Sequence, residues 1–341
     1  MSPELSRSEY TRFLADVKKR IATAQLRATS SLNQHLVLHY WQVGKAIVNK
    51  QEAAGWGDEI IPRLSADLGR EFPGMKGFSR SNLFSMRKFF TTYRDDNCPT
   101  AVGQLPWSLN ILILNKIDNP EERLWYLNEA LRNGWSRRVL DHQIDSGLYH
   151  RQARAAKDCN FSRVLPRLHS ELAQELLKDP YHFDFLGLGP QAKERDLENA
   201  LVEHLEEFLL ELGVGFALIG RQHRLDVGGK EYRIDLLFYH LRLRSLVAID
   251  LKMEEFKPGD AGQMSFYLSA LDDLVKHPLD LPSIGLILCK SKDRTTVEYS
   301  LRDTARPIGV SAYRLTTSLP QELRDALPTI EQLERELEER P

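Results

Sequence analysis

The chain has 341 residues, enough for about two domains of ordinary size. Hydrophobic residues make up 42% and charged residues 28%, a composition that excludes bulk disorder and collagen-like repeats. No apolar run approaches the roughly 18 to 20 residues of a membrane span, and the N-terminus lacks the apolar stretch of a signal peptide. Three widely spaced cysteines support neither a disulfide framework nor a cysteine zinc site. We therefore expect a cytoplasmic protein without membrane contact.

Charge is divided unevenly along the chain. Residues 1–155 carry a net charge of +6, whereas residues 156–341 carry −8. A basic half joined to an acidic half is compatible with nucleic-acid binding by the first half. A solvated surface of the same size would also carry such a charge.

The first half is predicted to be helical throughout, as an all-α N-terminal domain over residues 1–155. Apolar residues recur at helical spacing, and turn signals separate the helical segments. No strand is expected before residue 215. The expected helices cover residues 5–28, 31–54, 59–71, 79–93, 107–116, 120–132 and 136–149.

The segment 62–94 is basic, with seven Lys and Arg residues and two acids. It is predicted to form a helix, a turn and a second helix that carries Arg80, Arg87 and Lys88. This is the order of a helix-turn-helix, whose second helix can enter the DNA major groove. The alternative is an all-helical protein–protein or dimerisation domain, and in the case of dimerisation the protein would be a homo-oligomer.

The second half has a different pattern, an α/β order of αβββαβ with a mixed sheet over residues 191–318. Residues 156–190 are expected to form a helix at 163–178 and a linker, and residues 319–341 an acidic C-terminal helix. The expected elements of the α/β domain are a helix at 191–212, strands at 216–225, 232–239 and 245–252, a helix at 260–275, a strand at 283–290, a helix at 295–303 and a strand at 308–314.

Two aspartates lie in strands that are otherwise apolar. Asp235 interrupts RIDLLFY, and Asp250 ends SLVAIDLK; charged residues are rarely buried unless they are paired or bind a metal. A hairpin loop centred between residues 242 and 243 would place the two carboxylates opposite each other on adjacent strands. Lys252 would project from the same face as Asp250. Two carboxylates and an ammonium on one face suit Mg²⁺ and a phosphate.

Two helices add polar candidates. Helical phase places Glu198 in the middle of the apolar face of the helix at 191–212 and Glu203 on the water side. Gln263 and Tyr267 are four residues apart and therefore share one helix face. Taken alone, Glu198 could instead form a salt bridge, and Gln263 with Tyr267 could be a packing contact.

These residues resemble the PD-(D/E)xK nuclease superfamily, and more closely its YhcG-like family. In the second half the resemblance rests on RQHRLDVGGKEYRIDLLFYHLRLRSLVAIDLK, EEFKPGDAGQMSFYLSALDDLVKHP and PSIGLILCKSKDRTTVEYSLRDTARPIGVSAY. In the first half it rests on GWGDEIIPRLSADLGREFPGMKGFSRSNLFSMRKFF, LPWSLNILILNKI and ERLWYLNEALRNGWSRRVL. It covers nearly the whole chain apart from the two ends.

The resemblance implies a metal-dependent DNA endonuclease that uses Mg²⁺, with Mn²⁺ as an alternative ion. Asp235 would be the motif aspartate, and Asp250 and Lys252 the D and K of the DxK motif, while Gln263 and Tyr267 would be the accessory pair. The metal would be held by Asp235, Asp250, the carbonyl of Leu251 and Glu198. Two residues depart from the pattern, because Ile234 replaces a proline and Asp250 is the shorter of the two acids. Neither departure removes a ligand.

Two other functions compete with this hypothesis. A non-catalytic DNA-binding or scaffold protein could be built on a retired nuclease fold, although the intact charged set argues against loss of activity. An enzyme acting on RNA is the third interpretation, but no RNA-binding motif supports it.

Overall fold

The computed structural model describes residues 7–55, 57–94, 100–188 and 192–315. The chain divides into two compact units, Met1–Asp145 and Ser146–Pro341. The acidic helix predicted at 319–341 lies outside the described residues. Among the helices of the described part, none is both long and apolar enough to cross a membrane.

The first unit is helical, as predicted from the sequence. Its helices are α1 (Arg7–Ala54), α2 (Ile60–Glu71), α3 (Arg80–Thr92), α4 (Thr100–Gln104), α5 (Trp107–Lys116), α6 (Pro120–Asn133) and α7 (Arg137–Asp145).

Helix α1 differs from the prediction of two helices, because it continues without interruption for 48 residues. The polar run Thr29-Ser30-Ser31 lowers helix propensity only modestly, and no glycine or proline is present there to end the helix. The predicted helix at 136–149 ends earlier, at Asp145, and Gly147 follows it with a left-handed φ of 63°.

Helix α3 begins where the sequence predicts, because the Ser79 side chain accepts a hydrogen bond from the Asn82 amide at 3.3 Å. Its apolar side packs against α1, where Gly44 allows close approach: an added Cβ would lie 2.1 Å from the Met86 carbonyl oxygen. Residues 72–79 connect α2 to α3. This connection is longer than the three or four residues of a typical helix-turn-helix.

The second unit is an α/β domain. In chain order it contains a π-helix (Tyr149–Arg154), β1 (Asp158–Cys159), α8 (Phe161–Val164), α9 (Arg167–Leu176), β2 (Tyr181–His182), a 3-10 turn (Asp184–Leu186), α10 (Glu194–Glu203), α11 (Leu205–Leu212), β3 (Phe216–Val227), β4 (Lys230–His240), β5 (Ser245–Glu255), α12 (Pro258–Leu274), β6 (Ile284–Ser291), α13 (Arg294–Leu301) and β7 (Ile308–Arg314).

The sheet is mixed, with the strand order β1-β7-β6-β5-β4-β3 and β2 paired to β7. Strands β3, β4 and β5 are antiparallel, whereas β5, β6 and β7 are parallel. One face packs against α10 and α11 through a core that includes Leu201 and Ile249. The other face packs against α12 and α13 through a core that includes Met264 and Val297. The αβββαβ order and the mixed sheet predicted from the sequence are therefore confirmed.

Three segments of this unit differ from the predictions. The helix expected at 163–178 is divided at Leu165–Pro166, since proline disfavours helical geometry in the residue before it. The helix expected at 191–212 is divided at His204, which has a φ of −100° and a ψ of 44°. The segment 156–190, expected to be a helix and a linker, also contributes β1 and β2 to strand pairing with β7.

Candidate active site

The site begins where strands β4 and β5 separate. Their pairing runs from His240–Ser245 to Leu236–Ile249 and follows the register predicted for a loop centred between residues 242 and 243. The regular ladder stops one pair before Asp235 and Asp250. Instead, the Asp235 carboxylate accepts a hydrogen bond from the Leu251 amide through Oδ2 at 2.9 Å. This contact fixes the first acid against the strand that carries the second.

Asp250 is the most deeply buried acid of this cluster, with 2% of its surface exposed. Burial raises the pKa of Asp250 to about 7, with Lys252 opposing the shift and Asp235 adding to it. The Lys252 Nζ lies 2.8 Å from Asp250 Oδ2. Oδ2 nevertheless has no well-directed hydrogen bond among the described residues. The carboxylate therefore keeps capacity for a further ligand.

Lys252 is half-buried beside this acid. Burial disfavours its ammonium form, but the charge of Asp250 and the contact between them outweigh burial and raise the pKa of Lys252. The lysine therefore carries a positive charge at neutral pH.

Helix α10 contributes Glu198 to the site. Glu198 is 5% exposed, whereas Glu203 on the same helix is exposed to solvent. The Gln222 side chain of β3 links this acid to the first aspartate, because its Nε2 donates to Glu198 Oε2 at 2.6 Å and to Asp235 Oδ1 at 3.2 Å.

A polar cavity of about 510 Å³ opens beside these carboxylates. Glu194 belongs to its wall, and burial together with the charges of Asp235, Asp260 and Glu198 raises the pKa of Glu194 against the opposing effect of Lys252. The charged residues that line the cavity are three acids and three arginines: Glu194, Glu198, Asp235, Arg195, Arg221 and Arg233.

Helix α12 places Tyr267 near the acids from the other face of the sheet. Tyr267 is buried, and burial raises the pKa of its hydroxyl, with Gln263 opposing the shift and Asp250 and Asp235 adding to it. The Gln263 Nε2 donates to this hydroxyl at 2.7 Å. Gln263 itself is exposed, and its hydrogen bond is to Tyr267 rather than to an acid.

The three predicted nucleic-acid-binding residues lie on α3 in the first unit. Arg87 is half-buried, stacks on Phe84 with its guanidinium 5.0 Å from the ring centre, and forms an ion pair with Asp58. Arg80 and Lys88 are exposed, and Lys88 donates to Asn115 Oδ1 at 3.3 Å. Arg80 and Lys88 are thus more accessible to a phosphate than Arg87.

The oxygen ligands of the cluster fit a small divalent cation. Across the described ranges, no three His, Cys, Asp or Glu side chains are grouped closely enough to hold a metal ion by themselves. Mg²⁺, however, is usually bound through only one or two carboxylates together with waters and substrate phosphates. The buried Asp250, with an oxygen that lacks a directed hydrogen bond, and the adjacent Asp235 provide such a pair.

Two polar residues of the site were not anticipated from the sequence, although both had a signal. Gly228-Gly229 is a two-residue hairpin turn, and a loop centred there puts Gln222 opposite Asp235. Glu194 lies four residues before Glu198, which puts both on one helix face.

Comparisons with known proteins agree with this architecture. The family described as the YhcG PDDEXK nuclease domain matches residues 174–328, and the family described as the DUF1016 N-terminal domain matches residues 16–151. The chain is 32% identical over 339 residues to the protein named "Putative nuclease YhcG" of Escherichia coli (strain K12), covering 89% of each chain. Among solved structures, a repair endonuclease from Pyrococcus abyssi aligns with 37% of this chain and 47% of its own at 15% identity. Its TM-score is 0.25, a level from which nothing follows for this chain.

The full-length relative is similar enough, over enough of both chains, to establish the family. The sheet order and the described helices agree with a nuclease domain that follows a helical N-terminal region. The chain therefore belongs to the YhcG-like family of the PD-(D/E)xK nuclease superfamily.

Proposed function

We propose that the second unit is a DNA endonuclease that hydrolyses phosphodiester bonds with the help of Mg²⁺ or Mn²⁺. The observation that carries this proposal is the buried Asp250, which lies beside Lys252 and next to Asp235 where two strands separate. Burying a carboxylate is costly unless a cation or a hydrogen-bond donor compensates for its charge. If Asp250 and Lys252 formed only a structural ion pair, the lysine would balance the one aspartate. This cluster, however, contains further acids that α10 contributes.

The residues that would hold the cation are Asp235, Asp250 and the main-chain carbonyl of Leu251, with Glu198 acting directly or through a water molecule. When bound, a divalent cation makes a water molecule more acidic and offsets negative charge on a phosphate. These are the two requirements of phosphodiester hydrolysis at neutral pH.

The chain's own groups supply the remaining interactions. Lys252, held beside Asp250 at 2.8 Å, would orient the attacking water and offset charge on the phosphate. The Tyr267 hydroxyl stays protonated and, with Gln263, would support the site from α12. The three arginines at the cavity wall give the surroundings of the acids the positive charge that a phosphate backbone requires.

The first unit would deliver DNA to the enzyme or mediate its assembly. Its basic segment includes the exposed Arg80 and Lys88, which support DNA contact. The pairing of Arg87 with Asp58 reduces the charge that Arg87 offers to a phosphate.

A cleavage screen tests the proposed function. The purified full-length protein would be incubated with linear, supercoiled, branched and single-stranded DNA in the presence of Mg²⁺, Mn²⁺ or EDTA. We expect cleavage of at least one DNA with a divalent cation and none with EDTA. Binding of DNA without cleavage under every condition would favour a retired nuclease, and cleavage of RNA alone would replace DNA as the substrate.

A further inference from the structure

Gln222 lies in β3 at a point where the regular pairing of β3 with β4 is interrupted. The neighbouring pairs Arg221–Leu236 and His223–Ile234 place it opposite Asp235, but the pair of Gln222 with Asp235 is missing from the ladder. Its side chain instead reaches the carboxylates of Asp235 and Glu198, at 3.2 Å and 2.6 Å. One amide group thus joins an acid of β4 to an acid of α10.

The backbone of Gln222 is strained. Its φ is 45°, in the left-handed region that favours glycine. Among the non-glycine residues that the structure describes, only Gln222 and Arg244 have a positive φ. Strain of this kind persists only where surrounding interactions enforce it, and it is concentrated at functional sites. The side chain of this strained residue donates both of its hydrogen bonds to acids of the candidate site.

We propose that Gln222 is a positioning residue, whose amide holds the Glu198 and Asp235 carboxylates together so that one divalent cation can bind both. This inference rests on the function proposed above for the same site. It gives a role to a residue outside the charged set of the PD-(D/E)xK motif.

A neutral amide is suited to this task for a physical reason. Two carboxylates that approach each other repel, and an uncompensated pair would separate or take up a proton. The Nε2 group offers one hydrogen to each acid and adds no charge that would compete with a cation. An arginine or lysine in the same place would neutralise the acids and thereby weaken cation binding.

The test compares two variants of Gln222 with a control. Gln222→Met keeps the length of the side chain but has no donor, and Gln222→Gly removes the side chain while relieving the backbone. Arg244→Gly relieves the other strained residue, which has a φ of 51° and lies in the turn between β4 and β5. The full-length proteins would be titrated with Mn²⁺ and Mg²⁺ in a calorimeter without DNA, and thermal unfolding would be followed in parallel.

We expect both Gln222 variants to bind the cation about 10- to 100-fold more weakly, the usual effect of removing a partner of a metal ligand. Arg244→Gly should bind it as the wild type does. In cleavage assays the cation concentration for half-maximal rate should rise for the Gln222 variants, while the KM for DNA stays unchanged. Because glycine is suited to this φ, Gln222→Gly should still unfold cooperatively, so that weaker binding is not a result of misfolding.

Two outcomes are distinguishable. If the wild type binds the cation and cleaves DNA, but both Gln222 variants bind the cation equally well, the role of Gln222 is overturned and the proposed function stands. If the wild type neither binds the cation nor cleaves DNA, the proposed function fails and this inference fails with it.

Discussion

At the scale of single residues, two glutamates of α10 with similar sequence surroundings differ in their exposure to solvent. Glu198 is buried and receives a hydrogen bond from Gln222, whereas Glu203 is exposed. We expect Glu198→Gln to keep the fold but to raise the Mg²⁺ concentration needed for cleavage and to reduce turnover, because a charge is lost beside the proposed cation. Measuring turnover against Mg²⁺ concentration checks this.

Glu203→Gln is the matched control for that measurement. A change at an exposed position without specific partners should alter the free energy of unfolding by no more than about 0.5 kcal/mol. Its turnover should match the wild type. If turnover fell in Glu203→Gln and not in Glu198→Gln, the opposite face of α10 would be the one that contributes to the site.

Two acids of the candidate site could be identified from the sequence because they interrupt apolar strands. Asp235 and Asp250 stand out in this way, and the hairpin register that links their strands follows from a symmetric loop. The end of the ladder was not predictable, since beyond it the Leu251 amide donates to a side chain, the Asp235 carboxylate, and strand periodicity does not record side-chain acceptors. The signal for Gln222 was the register of the hairpin at Gly228-Gly229 and not its residue type, because a glutamine in a half-exposed strand is ordinary.

At the scale of elements, the position of α12 depends on a glycine in the strand beneath it. An added Cβ at Gly285 would lie 2.5 Å from Met264 Cγ and 2.6 Å from its sulfur. We expect Gly285→Ala to lower the free energy of unfolding by about 1 to 3 kcal/mol through overpacking. Cleavage should fall as well, because α12 carries Tyr267. Urea unfolding and a cleavage rate measure the two effects.

Gly262→Ala is the control within the same helix. No heavy atom lies within 4 Å of a Cβ added there, and alanine is favoured over glycine in helices by up to about 1 kcal/mol. The protein should therefore become slightly more stable. A Gly285→Ala variant as stable as Gly262→Ala would show that α12 adjusts without cost.

A buried ion cluster joins the π-helix to α11. Arg151 Nη1 lies 2.5 Å from Glu211 Oε1, and the His182 amide donates to the same oxygen at 2.8 Å. Burial alone would raise the pKa of Glu211, but Lys178 and Arg151 outweigh burial and lower it. The lowered pKa means that the Glu211 carboxylate stabilises the fold at every pH above the pKa it has in the unfolded chain, near 4.5. This stabilisation is lost as the pH falls through the lower pKa that Glu211 has in the folded protein.

The pH dependence of Glu211→Gln tests that cluster. At neutral pH the variant should be less stable by about 3 kcal/mol, because two buried cations lose their partner. As the pH falls below about 4.5, the gap between wild type and variant should narrow. Urea unfolding at several pH values measures this gap. A gap that is independent of pH would assign the stabilisation to packing instead of charge.

Element types were largely predictable, whereas element breaks were not. The period of 3.6 residues identified most helices, because one face of each is buried, whereas β5, β6 and β7 were identified as apolar runs, because both of their faces are buried. The break at His204 and the short strands β1 and β2 depend on pairing and packing with distant residues, which local periodicity does not record.

At the scale of the whole molecule, the positive charge of the first unit is expected to contribute to DNA affinity. Replacing Arg80, Arg87 and Lys88 together by alanine should weaken DNA binding and flatten its dependence on salt. Each lost phosphate contact removes about 0.9 from the slope of log K against log salt. We expect the slope to fall by about 2, which corresponds to the loss of two phosphate contacts, since Arg87 is paired with Asp58 and contributes little. Affinity measured at several salt concentrations checks this.

An unchanged affinity and slope in a folded variant would assign the first unit to assembly. Sedimentation of the wild type and the variant would then reveal whether α3 lies in a subunit interface. The division into a helical and an α/β unit was predictable from composition and periodicity.

The measurement that bears most directly on the proposed chemistry is single-turnover DNA cleavage at saturating protein. Wild type, Asp235→Asn, Asp250→Asn and Lys252→Ala would be compared in Mg²⁺, with DNA affinity measured in EDTA. We expect each variant to bind DNA as the wild type does and to lose cleavage, because the changes remove charges at the buried site and leave the rest of the surface intact. Cleavage by all three variants at the wild-type rate would contradict the assignment of this site.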